Sequence, residues 1–242
     1  MRLFITSYQK SGTHQITPMF VVRPDVVDRS SNEILDVPRK YNMDTEINND
    51  GVRETVEDLR VFRFGSDKAF GHLSYVPEYA DVFERTNTKV LFNIRDPRDV
   101  VVAEYENALR KFEQGDMMPL WNFYDSEKGE YLYSSDDPIA ELIVLAAARW
   151  PRWLGWLDHD FVKPVKYEDL RLRTRETVEE IIEWLGGMGC SDANTMAKNA
   201  IPKPGNPTFR KGSPGEWKTA FTLRHIELAD EMLGGIIKRL GY

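Results

Sequence analysis

The chain has 242 residues, a formal net charge of −7 and one cysteine, Cys190. This length buries a single substantial core and fits one domain over residues 1–242. A lone cysteine excludes an internal disulfide and fits a reducing, cytoplasmic setting, the negative balance argues against nucleic acid as a partner, and no apolar run approaches the ~20 residues of a membrane span.

In chain order, Leu3-Phe4-Ile5-Thr6 is a short apolar run ending in turn residues, which reads as a buried strand. The start turns polar too quickly for a secretory signal. A helix opens near Gly12, and Pro18 ends or kinks it early. Arg23 to Asp50 is polar and loop-rich. Val61-Phe62-Arg63-Phe64 is a candidate second strand, and Val76 to Arg85 a helix with Pro77 in its first turn. Lys89 to Ile94 is the strongest central strand, followed by a helix from Arg98 to Phe112. Residues 113–135 are aromatic and polar and read as a long loop or lid. Ile139 to Leu157 is an apolar helix kinked at Pro151, and Phe161 to Tyr167 a further strand. Thr174 to Leu185 is an amphipathic helix ended by Gly186-Gly187. Pro202 to Pro214 is a Gly/Pro-rich basic loop, and Thr222 to Leu240 a closing helix. Strands alternating with helices imply an α/β protein with a parallel sheet covered by helices on both faces. Ligands bind such sheets beyond the carboxyl ends of the strands, which selects the loops after Thr6, after Ile94 and around His72.

Three segments carry chemistry. Thr6-Ser7-Tyr8-Gln9-Lys10-Ser11-Gly12-Thr13-His14 follows a strand and opens a helix. Backbone N–H groups there suit an anion, Ser11 and Thr13 add hydroxyls, and Lys10 adds a charge. Lysine precedes glycine, so this is not the Gly-Lys-Ser/Thr order of a Walker loop. Arg95-Asp96-Pro97-Arg98-Asp99-Val100 follows the strongest strand. An arginine there grips phosphate in a bidentate way, whereas Asp96 and Pro97 suit a plain helix start. Phe209-Arg210-Lys211-Gly212-Ser213-Pro214-Gly215-Glu216-Trp217-Lys218 sets two cations before a glycine.

Taken together with Tyr167-Glu168-Asp169-Leu170, and in this order, these segments resemble the cytosolic-type sulfotransferases, which use 3′-phosphoadenosine 5′-phosphosulfate (PAPS) as donor and release 3′-phosphoadenosine 5′-phosphate (PAP). The resemblance implies a P-loop-type three-layer fold with a central parallel β-sheet flanked by helices. It implies that Lys10 stabilises charge on the departing nucleotide, and that Ser11, Gly12, Thr13 and the position of His14 hold the 5′-phosphate. Arg95, Arg210, Lys211 and Gly212 would bind the 3′-phosphate, Tyr167 would contact the adenine, and Trp217 would pack the late loop. His72, in Phe70-Gly71-His72-Leu73, falls where the family keeps its catalytic base, and an imidazole suits proton abstraction. No metal is implied.

Three positions depart from the family pattern. Phe70 replaces a lysine, His14 replaces a threonine, and Ala103 replaces a serine that would meet the 3′-phosphate. His14 is also the one competitor to His72 as functional histidine. Phe20, Trp121, Phe123 and Tyr124 suit a pocket for a small-molecule or sugar acceptor and suit ordinary packing equally well. The acceptor and the oligomeric state are not legible. Two other readings stay open: a P-loop kinase of a nucleoside or small metabolite, and a catalytically inactive nucleotide-binding protein of the same fold.

Overall fold

Arg2–Ser7 forms strand β1, and its apolar residues Leu3, Phe4 and Ile5 are all buried. Burial of consecutive residues means that both faces of the strand are covered, as in a parallel sheet between helix layers. β1 pairs in parallel with β3 (Lys68–Gly71) on one side and β4 (Thr88–Ile94) on the other. β2 (Leu35–Asp36) extends the sheet beyond β3, and β7 (Val162–Lys166) beyond β4, giving the order β2-β3-β1-β4-β7, all parallel. Between β4 and β7 along the chain, β5 (Tyr124–Asp125) and β6 (Glu130–Tyr131) make a separate small antiparallel ribbon.

The computed structural model describes residues 2–20, 35–36, 68–115, 124–125, 130–131, 136–187, 192–201 and 213–242. They fall into two compact units, Met1–Arg95 with Arg152–Gly212, and Asp96–Pro151 with Ser213–Tyr242. The candidate strand at Val61–Phe64, the lid residues Trp121 and Phe123, Cys190 and the cationic trio Arg210, Lys211 and Gly212 lie outside the described residues.

The first unit holds the five-stranded sheet. Strand residues alternate between its faces with period two. Leu3, Ile5, Leu91 and Val165 point to one layer, built from α1 (Thr13–Ile16), a 3₁₀ turn Thr17–Phe20, α6 (Tyr167–Leu172), α7 (Thr174–Trp184) and α8 (Ala193–Ala200). Phe20 belongs to this core, only 6% exposed, so it packs under the sheet. Phe4 and Phe92 point the other way, against Phe83 of α2 (Pro77–Arg85) and Trp153 of α5 (Pro151–Leu154). Two covered faces make the three layers.

The second unit holds α3 (Pro97–Glu113), α4 (Pro138–Arg149), α9 (Trp217–Ala220) and α10 (Leu223–Arg239), with α10 packed on α3 and α4. Asp96, Asp137 and Thr222 cap α3, α4 and α10 through their side chains, each such cap stabilising its helix by about 1 kcal/mol.

The strand beside β1 was not among those predicted: it is Lys68–Gly71, a segment whose lysine and glycine hide it from an apolar-run reading. The helix expected from Ile139 to Leu157 with a kink at Pro151 is divided at that proline: it stops at Arg149, α5 restarts at Pro151, and a 3₁₀ turn covers Gly155–Asp158. Proline lacks the N–H that continuation requires and instead suits a first helical position. Pro18 acts similarly, since α1 ends at Ile16.

Candidate active site

The loop after β1 is held in shape by the next strand over. Tyr8 to Gly12 turn sharply, with Lys10 at φ 62° and Gly12 at φ 91°. A lysine in the left-handed region costs about 1 kcal/mol and persists only where its surroundings fix it. Here they do. The Ser11 N–H donates to the Tyr8 carbonyl at 3.2 Å. Arg95 Nη1 donates to the Lys10 carbonyl at 3.3 Å, and Asn93 Nδ2 donates to the Ser11 carbonyl at 2.6 Å. Asn93 lies in β4 and Arg95 just past its end, two positions apart and therefore on one face.

Gly12 is required twice over. Its φ excludes an ordinary side chain, and a Cβ there would sit 2.5 Å from Tyr167 Cδ2 and 3.2 Å from Asn93 Nδ2. Next to it, the Ser11 hydroxyl is fully buried and has no partner among the described residues. A buried hydroxyl is normally satisfied. One left open beside a left-handed turn at a helix start has the chemistry of a donor to a phosphate oxygen. On these two observations the loop fits a phosphate group.

Arg95 is 5% exposed, and its guanidinium lies over the Tyr167 ring, 4.6 Å from the centroid. Tyr167, the first residue after β7, is covered by Arg95 on one side and approached by Gly12 on another. The ring therefore wedges the loop against the arginine, a packing role that its sequence setting did not disclose.

His72 directly follows β3. Its Nδ1 lies 2.8 Å from the Ser7 carbonyl and 3.2 Å from the Ser7 hydroxyl. A carbonyl only accepts, so Nδ1 carries the proton and, in the neutral ring, Nε2 carries the lone pair. The neighbouring residue locks this placement. Thr6 Oγ1 accepts from the Leu73 N–H and donates to the Leu73 carbonyl, both at 3.1 Å, and Trp156 Nε1 donates to the same carbonyl at 3.0 Å.

Thus Lys10, Ser11, Gly12, His72, Arg95 and Tyr167 converge on the carboxyl ends of β1, β3, β4 and β7, within one unit. Thr13, His14 and Phe70 have described backbone only, in α1 and β3. Ala103 lies in α3, in the other unit. Among the described residues no three His, Cys, Asp or Glu side chains cluster as metal ligands.

The second half of the Arg95–Val100 segment is structural. Asp96 caps α3 and forms a two-point ion pair with Arg98, at 3.0 and 2.8 Å. Arg98 in turn stacks on Trp217 at 3.9 Å. Asp99 is 1% exposed and accepts from the backbone N–H groups of Gly215, at 2.6 Å, and Trp217, at 3.0 Å. Replacing Asp99 by alanine strips two amides of their acceptor at once. We expect a loss of about 2–4 kcal/mol, read as a melting temperature lower by roughly 5–15 °C, with Asp99→Asn intermediate because it keeps one acceptor.

A sequence profile of the sulfotransferase domain matches residues 1–241. The 3-alpha-hydroxysteroid sulfotransferase of Cavia porcellus is 27% identical over 173 residues, covering 62% of this chain and 56% of that protein. The chain thus spans little more than half the length of that curated relative. Mouse sulfotransferase SULT7A1, solved as a complex with PAP, superposes with a TM-score of 0.61 at 18% identity, over 99% of this chain and 87% of that one. Retinol dehydratase, solved with androsterone and inactive cofactor PAP, gives 0.58 at 16% identity, over 98% and 82%. Both structural likenesses establish the fold.

Proposed function

The chain belongs to the sulfotransferase-domain family, and from that premise we propose that it transfers a sulfuryl group from PAPS to a hydroxyl or amine of a small-molecule or sugar acceptor, releasing PAP. The supporting observation is the end of β1. One residue, Ser7, fixes the tautomer of His72, and three residues later the chain enters the Lys10–Gly12 turn. A base with its lone pair on Nε2 and an anion loop are thereby built on the same strand end.

In this reading the Ser11 hydroxyl, the amides of Gly12 and Thr13 and the position of His14 hold the 5′-phosphate. Arg95, with Arg210, Lys211 and Gly212, holds the 3′-phosphate, and Tyr167 lies beside the adenine. His72 Nε2 takes the proton from the acceptor as the new bond forms from sulfur to the acceptor's oxygen or nitrogen. Lys10 offsets the negative charge that grows on the departing phosphate oxygen as the old S–O bond breaks, where a fixed cation is worth most. Holding donor and acceptor in line supplies much of the remaining acceleration. A single domain in a cytoplasmic setting completes the proposal, supported by one profile match across both units and by the lone cysteine.

The names of the relatives mention a hydroxysteroid and androsterone, which makes an apolar alcohol the first acceptor to offer. The test is radiolabelled transfer from PAPS across a panel of alcohols, phenols, amines and sugars, beside calorimetry with PAP and with ATP–magnesium. We expect PAP binding and labelled product. A preference for ATP would sink the sulfuryl-transfer reading in favour of a kinase, and PAP binding without any turnover would leave a nucleotide-binding protein of this fold.

A further inference from the structure

Asn93 is the one polar side chain in the buried stretch Val90–Ile94 of the central strand. Asparagine is depleted in strands, and its two polar ends need partners when buried. Only one end has a partner among the described residues: Nδ2 donates to the Ser11 carbonyl at 2.6 Å, while Oδ1 is buried with none. The assignment of the two ends is chemical, because the reverse orientation would set two oxygens face to face.

The Ser11–Gly12 peptide is trans, and in a trans peptide the carbonyl and the N–H point in opposite directions. Fixing the Ser11 carbonyl toward β4 therefore fixes the Gly12 N–H away from β4, toward the open side of the turn. Rotating that peptide would break the Asn93 bond and bring a carbonyl oxygen to where an anion must sit. Gly12, with no Cβ and φ 91°, is the residue at which such a rotation meets least resistance. We propose that Asn93 is a positioning residue, whose carboxamide holds the Gly12 amide aimed at the 5′-phosphate of the donor. This rests on the donor reading given above.

The test uses two nucleotides that differ only at the site concerned, PAP and adenosine 3′-phosphate, with the full chain. Asn93→Leu keeps the γ-branched shape and the number of side-chain heavy atoms and removes the donor. It should weaken PAP by about ten- to a hundred-fold, the worth of one hydrogen bond to a charged group, and leave adenosine 3′-phosphate within about two-fold. Equal losses for both nucleotides, or none for either, would overturn the proposal. Should the variant not fold, the wild-type protein decides by amide NMR: PAP should shift the Gly12 proton strongly downfield and adenosine 3′-phosphate should not. A Gly12 amide unmoved by bound PAP overturns the positioning role alone. Wild-type protein that binds no PAP by calorimetry overturns the donor reading and this inference with it.

Discussion

Replacing His72 by asparagine is expected to lower turnover by about 10²–10⁴-fold, the usual worth of a positioned base, with PAP affinity within about two-fold of wild type. The contrast follows from the bond to Ser7. A carboxamide at position 72 still donates to the Ser7 carbonyl now held by Nδ1 at 2.8 Å. The strand end, the Thr6–Leu73 bonds and the loop beyond therefore keep their shape, and only the basic lone pair disappears. Steady-state rates with a working acceptor check the first claim and calorimetry with PAP the second. Full turnover in His72→Asn would end the assignment and turn attention to His14, whose own asparagine variant we expect to retain most activity.

The loop and the arginine were legible in the sequence because they must be made of particular residue types. An anion site at a strand–helix junction needs glycine, a hydroxyl and a cation, and Lys10-Ser11-Gly12 with Arg95 spells that out. β1 and β4 were legible for a similar reason, as a strand covered on both faces reads as a nearly continuous apolar run. β3 was not, because four residues containing Lys68 and Gly71 carry no such run, yet this strand delivers His72 to Ser7. The division of the long apolar helix was legible at Pro151, the one stop signal in an alanine-rich stretch, although proline reads equally as kink or start.

The supports of the site were hidden for a different reason. Asp99 meets amides 116 and 118 residues away, and Thr6 meets Leu73 across 67. Nothing local distinguishes a carboxylate that holds a distant loop from one that caps its own helix, and Asp96 and Asp99 stand three residues apart playing the two parts. Tyr167 shows the same ambiguity. The resemblance implied an adenine contact for it, and the folded chain adds packing partners for its ring in Arg95 and Gly12. Only Asn93 left a trace in the sequence, as a polar residue in the strongest strand, where its desolvation is tolerated if its hydrogen bond has work elsewhere.

Gly12→Ala separates the shape of the loop from its chemistry. The methyl group faces two obstacles: φ 91° is outside the comfort of any L side chain, and Tyr167 Cδ2 stands 2.5 Å from the new atom. The ring cannot yield without pushing the Arg95 guanidinium stacked on it at 4.6 Å. Backbone strain and displaced packing together should cost about 2–4 kcal/mol of stability and, on the proposed donor site, lower PAP affinity by at least about a hundred-fold, since Gly12 and Arg95 are displaced together through Tyr167. Ser11→Ala is the counterpart. It removes a buried hydroxyl that has no partner among the described residues, so stability should hold or rise slightly, while PAP affinity falls about ten-fold. Chemical denaturation and calorimetry on both variants measure the two effects independently. A loop that served only as a turn would show the stability loss of Gly12→Ala with no change in PAP binding for either variant, and that pattern would remove the phosphate from this site.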